Sequence, residues 1–430
     1  MVAVPMKLAW LLLGGLLALS GCSDDDHPPA FTPVPLPECP NESYDVCDVR
    51  ATSCQARLHA LAACMYGNED PADVPVRVVS EPEFRAELEQ SVAEGAAERP
   101  PKDEQARAAM ERALVDLELI EPGALSEEAR IDDIVRLFVG VYQDAEQGIL
   151  LVDRDHSLSS VELDMLLVHE YIHALQDADY ELDGWHENHL DTTDAVLAAR
   201  SVTEGEATFY QMRAGVGMLG YTAGSVDFDA TFDKLRRDLE ESARADVSPY
   251  VASSATFPYG YGATVSNRLW QEQGQGFEAE LFANVPTTTR EIIRFAVYGN
   301  LGDDAREPLE HAAPTAAAPY ALVDEDVLGA WITLLVLLAD DETFDPTAVD
   351  VFSDHLWVYS DDAGETAWLW EVATNAPGAV QSRVDQLQQR LGGSVTLDTN
   401  RGRLYLAGGS DGVPDFLSQA GSAFITDAEP

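Results

Sequence analysis

Residues 169–173 read His-Glu-Tyr-Ile-His. On a helix, side chains four residues apart lie one above the other, with Cβ atoms about 5–6 Å apart. His169 and His173 so placed can share one metal ion. Glu170 lies roughly 60° round the helix from His173, near enough to take a proton from a water at that ion. This is the HExxH arrangement: two imidazole ligands for zinc and a carboxylate base.

The surrounding residues predict the helix that must carry it, over residues 159–177. A wheel drawn on that stretch places His169, Glu170, His173 and Asp177 in one sector about 100° wide. Met165, Val168, Tyr171, Ile172 and Leu175 fill much of the rest. A helix that is apolar on most sides and polar in one narrow sector is buried and presents a site. Catalytic zinc takes three protein ligands and keeps one position open. No third histidine follows closely, so the third ligand is sought downstream, in Thr203-Glu204-Gly205-Glu206-Ala207-Thr208. That segment belongs to a second predicted helix, 193–213, able to fold back on the first. Glu204 is the better candidate and Glu206 the alternative. Asp177 and Glu206 are candidates for a carboxylate that supports a ligating histidine. An oxyanion formed at the site needs a donor. Tyr259 and Tyr261, in Tyr259-Gly260-Tyr261-Gly262, are candidates, as are His186 and His189 in a polar stretch read as a loop.

HExxH followed by a glutamate on the next helix resembles the gluzincin group of zinc metallopeptidases. The longer run from His169 to Asp177, with its His-Ala-Leu-Gln-Asp continuation, resembles a set of bacterial envelope proteins. The specific similarity covers residues 139–211. It implies a zincin-like catalytic domain and one zinc ion on His169, His173 and Glu204. It further implies Glu170 as general base and acid, and a peptide or protein as substrate. The pattern departs at Thr208, where some gluzincins carry an aspartate that supports a zinc-bound histidine. The rival reading is a non-enzymatic envelope lipoprotein, a binding or assembly module with a structural or vestigial zinc site. Against it, a purely structural site has no need of Glu170.

The rest of the chain places this site in a compartment. Lys7 precedes the apolar run 8–19, which is shorter than the roughly 20 residues of a membrane span. Leu19-Ser20-Gly21-Cys22 resembles a lipobox. It implies a signal peptide over 1–21, a lipid on Cys22 and a place in the bacterial cell envelope, the outer membrane being favoured. Residues 22–38, acidic and then proline-rich, read as a tether. Cys39, Cys47, Cys54 and Cys64 cluster in 39–70. An even set in an oxidising compartment reads as two disulfides, with three pairings open. The net charge of −50 excludes nucleic acid as a partner, because the phosphates would be repelled. Oligomeric state is left open.

The expected fold class is α+β. Residues 80–300 form a mainly helical catalytic domain, and 326–430 a small α+β subdomain packed on it. Within the first, helices are expected across 80–120 with a break at Pro100-Pro101, and at 126–138. A β-hairpin over 139–153 precedes the HExxH helix, with Ile149–Val152 as an edge strand beside the cleft. Helices interrupted at Pro249, Pro258 and Pro286 fill 225–300, and a polar loop 301–325. The apolar run 328–339 is a core helix. It is followed by strands at 355–359 and 368–373, a helix at 378–391, strands at 395–398 and 404–407, and a last helix at 413–424.

Overall fold

The computed structural model describes residues 32–68, 70–98, 101–137, 139–153, 158–187, 191–299, 320–342, 344–391, 394–398 and 402–409. The signal peptide, Cys22, His189 and the helix expected at 413–424 lie outside these residues. The chain is mixed α+β, mainly helical, with two small sheets. Among the described residues, no helix is long and apolar enough to cross a membrane.

The first half runs α1 (Thr52–Tyr66), β1 (Val76–Ser80), α2 (Glu81–Glu98), α3 (Pro101–Asp116), α4 (Glu127–Leu137), β2 (Gly140–Gln143) and β3 (Gly148–Asp153). The expected hairpin is present, β2 pairing antiparallel with β3. It is only part of the sheet, however. β1 pairs parallel with β3 on its other side, in the order β1-β3-β2. Ile149–Val152 is therefore the centre of the sheet, and β1 and β2 are its edges. The reason is visible in β3 itself. Ile149 and Leu151 point into the main core, while Leu150 and Val152 pack on Val79, Phe84, Ile131 and Val135. A continuous apolar run marks a strand covered on both faces.

The HExxH helix is α5, Ser160–Tyr180. The Ser159 hydroxyl accepts from the Glu162 N–H, and the Glu162 carboxylate accepts from the Ser159 N–H, a reciprocal cap that fixes where the helix begins. After Glu181, in a left-handed conformation (φ 52°), comes the short helix α6, Leu182–Glu187, where a loop was expected. The next helix, α7, is longer than its pattern predicted and runs Thr193–Met218. α5 and α7 are antiparallel. Gln176, late in α5, bonds the Thr203 carbonyl early in α7, and Met165, early in α5, lies against Gly215 late in α7.

Helices α8 (Phe228–Ala245), α9 (Pro249–Phe257) and α10 (Ala263–Gln273) wrap α7. Pro258 does not interrupt the chain as expected. A single π turn, Pro258–Gly262, carries the backbone straight from α9 into α10. Helices α11 (Glu278–Ala283) and α12 (Thr289–Tyr298) flank Pro286, where the expected break is found.

Beyond residue 319 the chain forms β4 (Ala321–Asp326), α13 (Gly329–Leu337), β5 (Val351–Ser360), β6 (Thr366–Thr374), α14 (Pro377–Gln381), α15 (Val384–Leu391), β7 (Ser394–Asp398) and β8 (Arg403–Gly409). The sheet is antiparallel, in the order β4-β5-β6-β8-β7. β4 falls where a polar loop was expected. Its Asp324-Glu325-Asp326 composition suits an edge strand, where charge discourages pairing with other chains. α13 ties this sheet to the helices: Asp354 of β5 accepts from the Leu328 and Gly329 N–H groups, and the Trp331 indole donates to Ser253 of α9 at 2.8 Å. On the same side, the Trp368 indole of β6 donates to Asp116 of α3 at 3.0 Å. One apolar cluster runs from Leu36 to Leu406, so the two expected domains share a core.

The cysteines pair Cys39 with Cys64 and Cys47 with Cys54, one bridge nested inside the other. The stapled segment packs on the HExxH helix. His59 stacks on Tyr171 with ring centroids 4.7 Å apart. The buried Asp164 carboxylate accepts from the Cys47 N–H at 3.0 Å and faces Arg57. The expected tether is shorter than 22–38. Leu36 is fully buried, the Val34 N–H donates to the Gly217 carbonyl, and Glu38 pairs with Arg213.

Candidate metal centre

The antiparallel crossing of α5 and α7 brings His169, His173 and Glu204 together. His169 Nε2 lies 3.1 Å from His173 Nε2 and 3.3 Å from Glu204 Oε2. His173 Nε2 is 3.4 Å from the same oxygen. Zinc holds nitrogen and oxygen ligands at about 2.0–2.1 Å in a tetrahedron, which separates neighbouring ligand atoms by about 3.3–3.4 Å. The three edges match a cation at their centre. The donors also fit one chemically. The His173 Nδ1–H donates to Gln176 Oε1 at 2.8 Å, which turns Nε2 inward toward Glu204 and His169. Burial works against charge on Glu204, but hydrogen bonds from His169 and His173 and the Arg200 charge hold its pKa well below the usual range. For His173, burial pushes the pKa down, and the bond and charge of Glu204 outweigh it and raise it. All three side chains are 1–3% exposed.

Two residues that orient the ligands were not singled out from sequence. Arg200 donates to Glu204 Oε1 at 3.2 Å, which turns Oε2 toward the histidines. Gln176 holds His173 and in turn donates to the Thr203 carbonyl at 3.0 Å and to Glu206 Oε2 at 2.7 Å. Glu206 therefore reaches His173 only through Gln176. Its pKa is raised well above the usual range by burial and then by Glu278, against the Gln176 bond. Thr208 is buried, and its hydroxyl has no hydrogen-bond partner among the described residues. The partner that holds His173 Nδ1 is Gln176. The signal for Gln176 was its spacing, three residues after His173 on the same face.

Glu170 stands beside the cluster without joining it. Its carboxylate accepts from the Tyr142 N–H of β2 at 2.7 Å. Burial raises its pKa, the His169 and His173 charges lower it, and the net shift is upward. A carboxylate so raised is a better base near neutrality. Asp177 acts one step back from Glu170. It accepts from the Tyr142 hydroxyl at 2.7 Å and the Leu182 N–H at 2.9 Å, and so fixes the strand that holds Glu170. Among the described residues it bonds neither His169 nor His173.

The oxyanion candidates separate cleanly. Tyr259 is fully buried, its ring stacked on His169 at 6.0 Å, and its hydroxyl is bonded to Glu204. Burial, then the Glu204 charge, raises its pKa well above the usual range, so it remains a donor. Tyr261 points away, donating to Glu240 Oε1 at 2.5 Å beneath the Arg236 guanidinium. His186 gives its Nδ1–H to the Leu182 carbonyl at 2.8 Å, and burial lowers its pKa to about 4. A neutral ring with that tautomer has a bare Nε2 and cannot donate from it. A second grouping, Cys47, Cys54 and Asp164, also has ligand atoms close together, but its sulfurs are joined in a disulfide and offer no thiolate.

Compared with protein-family models, curated proteins and solved structures, the chain matches none.

The placement of Tyr259 depends on Gly205. A Cβ there would sit 2.3 Å from the Gly262 backbone carbon, and one on Gly262 would sit 2.2 Å from the Ser201 carbonyl oxygen. The two glycines let the π turn ride directly on α7, which lowers Tyr259 onto Glu204. Gly205→Ala is expected to destabilise the fold by about 1–3 kcal/mol through overpacking. It should also lift Tyr259 off the site. Urea unfolding measures the first effect, and an unchanged midpoint would contradict this crossing.

Proposed function

We propose that this chain is a zinc-dependent metallopeptidase with a gluzincin-like, zincin-type catalytic half, anchored in the bacterial envelope by a lipid on Cys22. The observation that carries the reading is the donor triangle of His169, His173 and Glu204, with edges of 3.1–3.4 Å, beside an independently held Glu170.

Zinc bound to the three donors would supply Lewis acidity, polarising a scissile carbonyl and making water easier to deprotonate. Glu170 takes the proton from the attacking water and returns it to the leaving amine. Its raised pKa suits both halves of that task. Tyr259 presents a hydroxyl that stays protonated and, on exchanging its bond to Glu204, can donate to the developing oxyanion. Arg200 and Gln176 hold Glu204 and His173 in place while charge changes around them. β2 pairs with β3 on one side, and its Tyr142 N–H, directed away from β3, holds Glu170. An extended peptide laid along that outer edge would pass beside the base.

A second reading, a non-enzymatic envelope module with a structural zinc, is favoured by burial: the three donors and Glu170 are at most 3% exposed. Against it, structural zinc sites close with four protein ligands, and the donor cluster has three.

The test is metal analysis of the purified chain with a peptide-library digest. About one zinc per chain, and cleavage stopped by a chelator and restored by zinc, is the expected result. Bound zinc without any cleavage would favour the second reading, and absence of zinc binding would remove both.

A further inference from the structure

A pocket beside α12 is chemically unlike the rest of this acidic chain. Arg290 and Arg294 stand one turn apart on that helix, on the same face. Both line a cavity of about 120 Å³, together with Ile293, Leu334, Val349 and Tyr298. Asp350 also lines it, but its carboxylate is already engaged. Arg290 approaches it through Nε at 3.1 Å and Nη2 at 3.4 Å, and Asn375 donates to it at 2.8 Å.

Arg294 is left over. It makes no hydrogen bond or ion pair with the described residues; its charge acts on Asp350, as that of Arg290 does, and its Cζ lies 5.9 Å from the Tyr298 ring. Its Nε is buried and has no hydrogen-bond partner. With two guanidiniums acting on the one Asp350 carboxylate, the pocket lining carries a surplus positive charge in a chain whose net charge is −50.

We propose that this pocket is a binding site for an oxyanion, a carboxylate or a phosphate, carried on a small apolar or aromatic body. The guanidinium of Arg294 offers the paired N–H groups that such an anion accepts in a fork. Ile293, Leu334 and Val349 give the body an apolar wall. Tyr298, 55% exposed, offers a ring at the rim. The volume equals about four waters at their liquid density of about 30 Å³ each, enough for the anionic head and a few carbons. None of these residues belongs to the metal centre, and the inference stands whether or not that centre hydrolyses peptides.

The test titrates the full chain by calorimetry with benzoate, phenyl phosphate and neutral benzamide. Benzoate or phenyl phosphate should bind at least about tenfold tighter than benzamide, and Arg294→Gln should remove that difference. Arg294→Lys keeps the charge but loses the fork, and should fall between the two. Whichever anion binds tighter identifies the head group. An anion bound to zinc instead would be indifferent to Arg294→Gln, which separates this site from the metal centre. No binding of either anion at about 10 mM, or equal binding to wild type and to a folded Arg294→Gln chain, overturns the proposal. Matching circular dichroism and melting temperature establish that the variants are folded.

Discussion

Glu170→Gln is expected to keep its metal and to lose peptide hydrolysis by about 10²–10⁴-fold. The two halves of that expectation have separate physical grounds. Metal retention follows because Glu170 is outside the donor triangle and its carboxylate is held by the Tyr142 N–H at 2.7 Å. A glutamine has the same shape, and its carbonyl oxygen can accept the same bond. The activity loss follows because an amide cannot take a proton from water at neutral pH. Metal content and kcat are measured on the same preparation. Hydrolysis at the wild-type rate would place the base elsewhere. Simultaneous loss of metal would make Glu170 a ligand, contrary to the observed spacing.

The parts legible in the sequence were those governed by one helix at a time. The spacing of His169 and His173 and the narrow polar sector of α5 depend only on helical geometry, and the structure keeps them. Glu204 is legible as a candidate because catalytic zinc takes a third protein donor and α7 can fold back on α5. What was not legible depended on pairing between distant segments. β1 is a five-residue strand with an exposed Arg77 and Val78; it exists because β3 offers it an edge. That made the centre of the sheet look like its rim. Yet the unbroken apolar run Ile149–Val152 was a cue to a strand covered on both faces.

Tyr259 and Tyr261 show the same limit on a smaller scale. They lie two residues apart in a glycine-rich stretch that read as a break at Pro258. A π turn keeps the helix continuous and sends the two rings to different neighbours, Tyr259 to His169 and Tyr261 to Glu240. Such turns occur often at functional sites, but nothing in the local pattern announces one. Gln176 was missed for another reason. Carboxylates often support ligating histidines, which points to Asp177, whereas His173 is one residue nearer to an amide that accepts its Nδ1–H. Polar residues in a buried helix act as a network, and a network is read from partners.

Glu204 and Glu206 make the sharpest contrast, because sequence left both open as the third ligand. Two residues apart on a helix, they are separated by about 200° of rotation and cannot aim at one ion in the same way. Glu204 faces both histidines and is backed by Arg200; Glu206 faces Gln176. Glu204→Ala removes a candidate ligand and also the carboxylate that Arg200 bonds at 3.2 Å. Breaking one side of a buried charge pair costs about 3–5 kcal/mol on its own. Its zinc affinity should therefore fall well beyond the roughly 10–100-fold that loss of an outer support produces. Glu206→Gln changes neither the donor set nor the shape behind Gln176, and the loss should stay within that 10–100-fold range. Competition with a chromophoric chelator gives both affinities on one scale. If Glu206→Gln abolished binding while Glu204→Ala kept it, the crossing of α5 and α7 would have to be rotated by half a turn. Gly205 could not then sit against Gly262, since the face of α7 that meets the π turn is set by the rotation that presents Glu204 to the histidines. The ligand assignment and the glycine contact therefore stand or fall together.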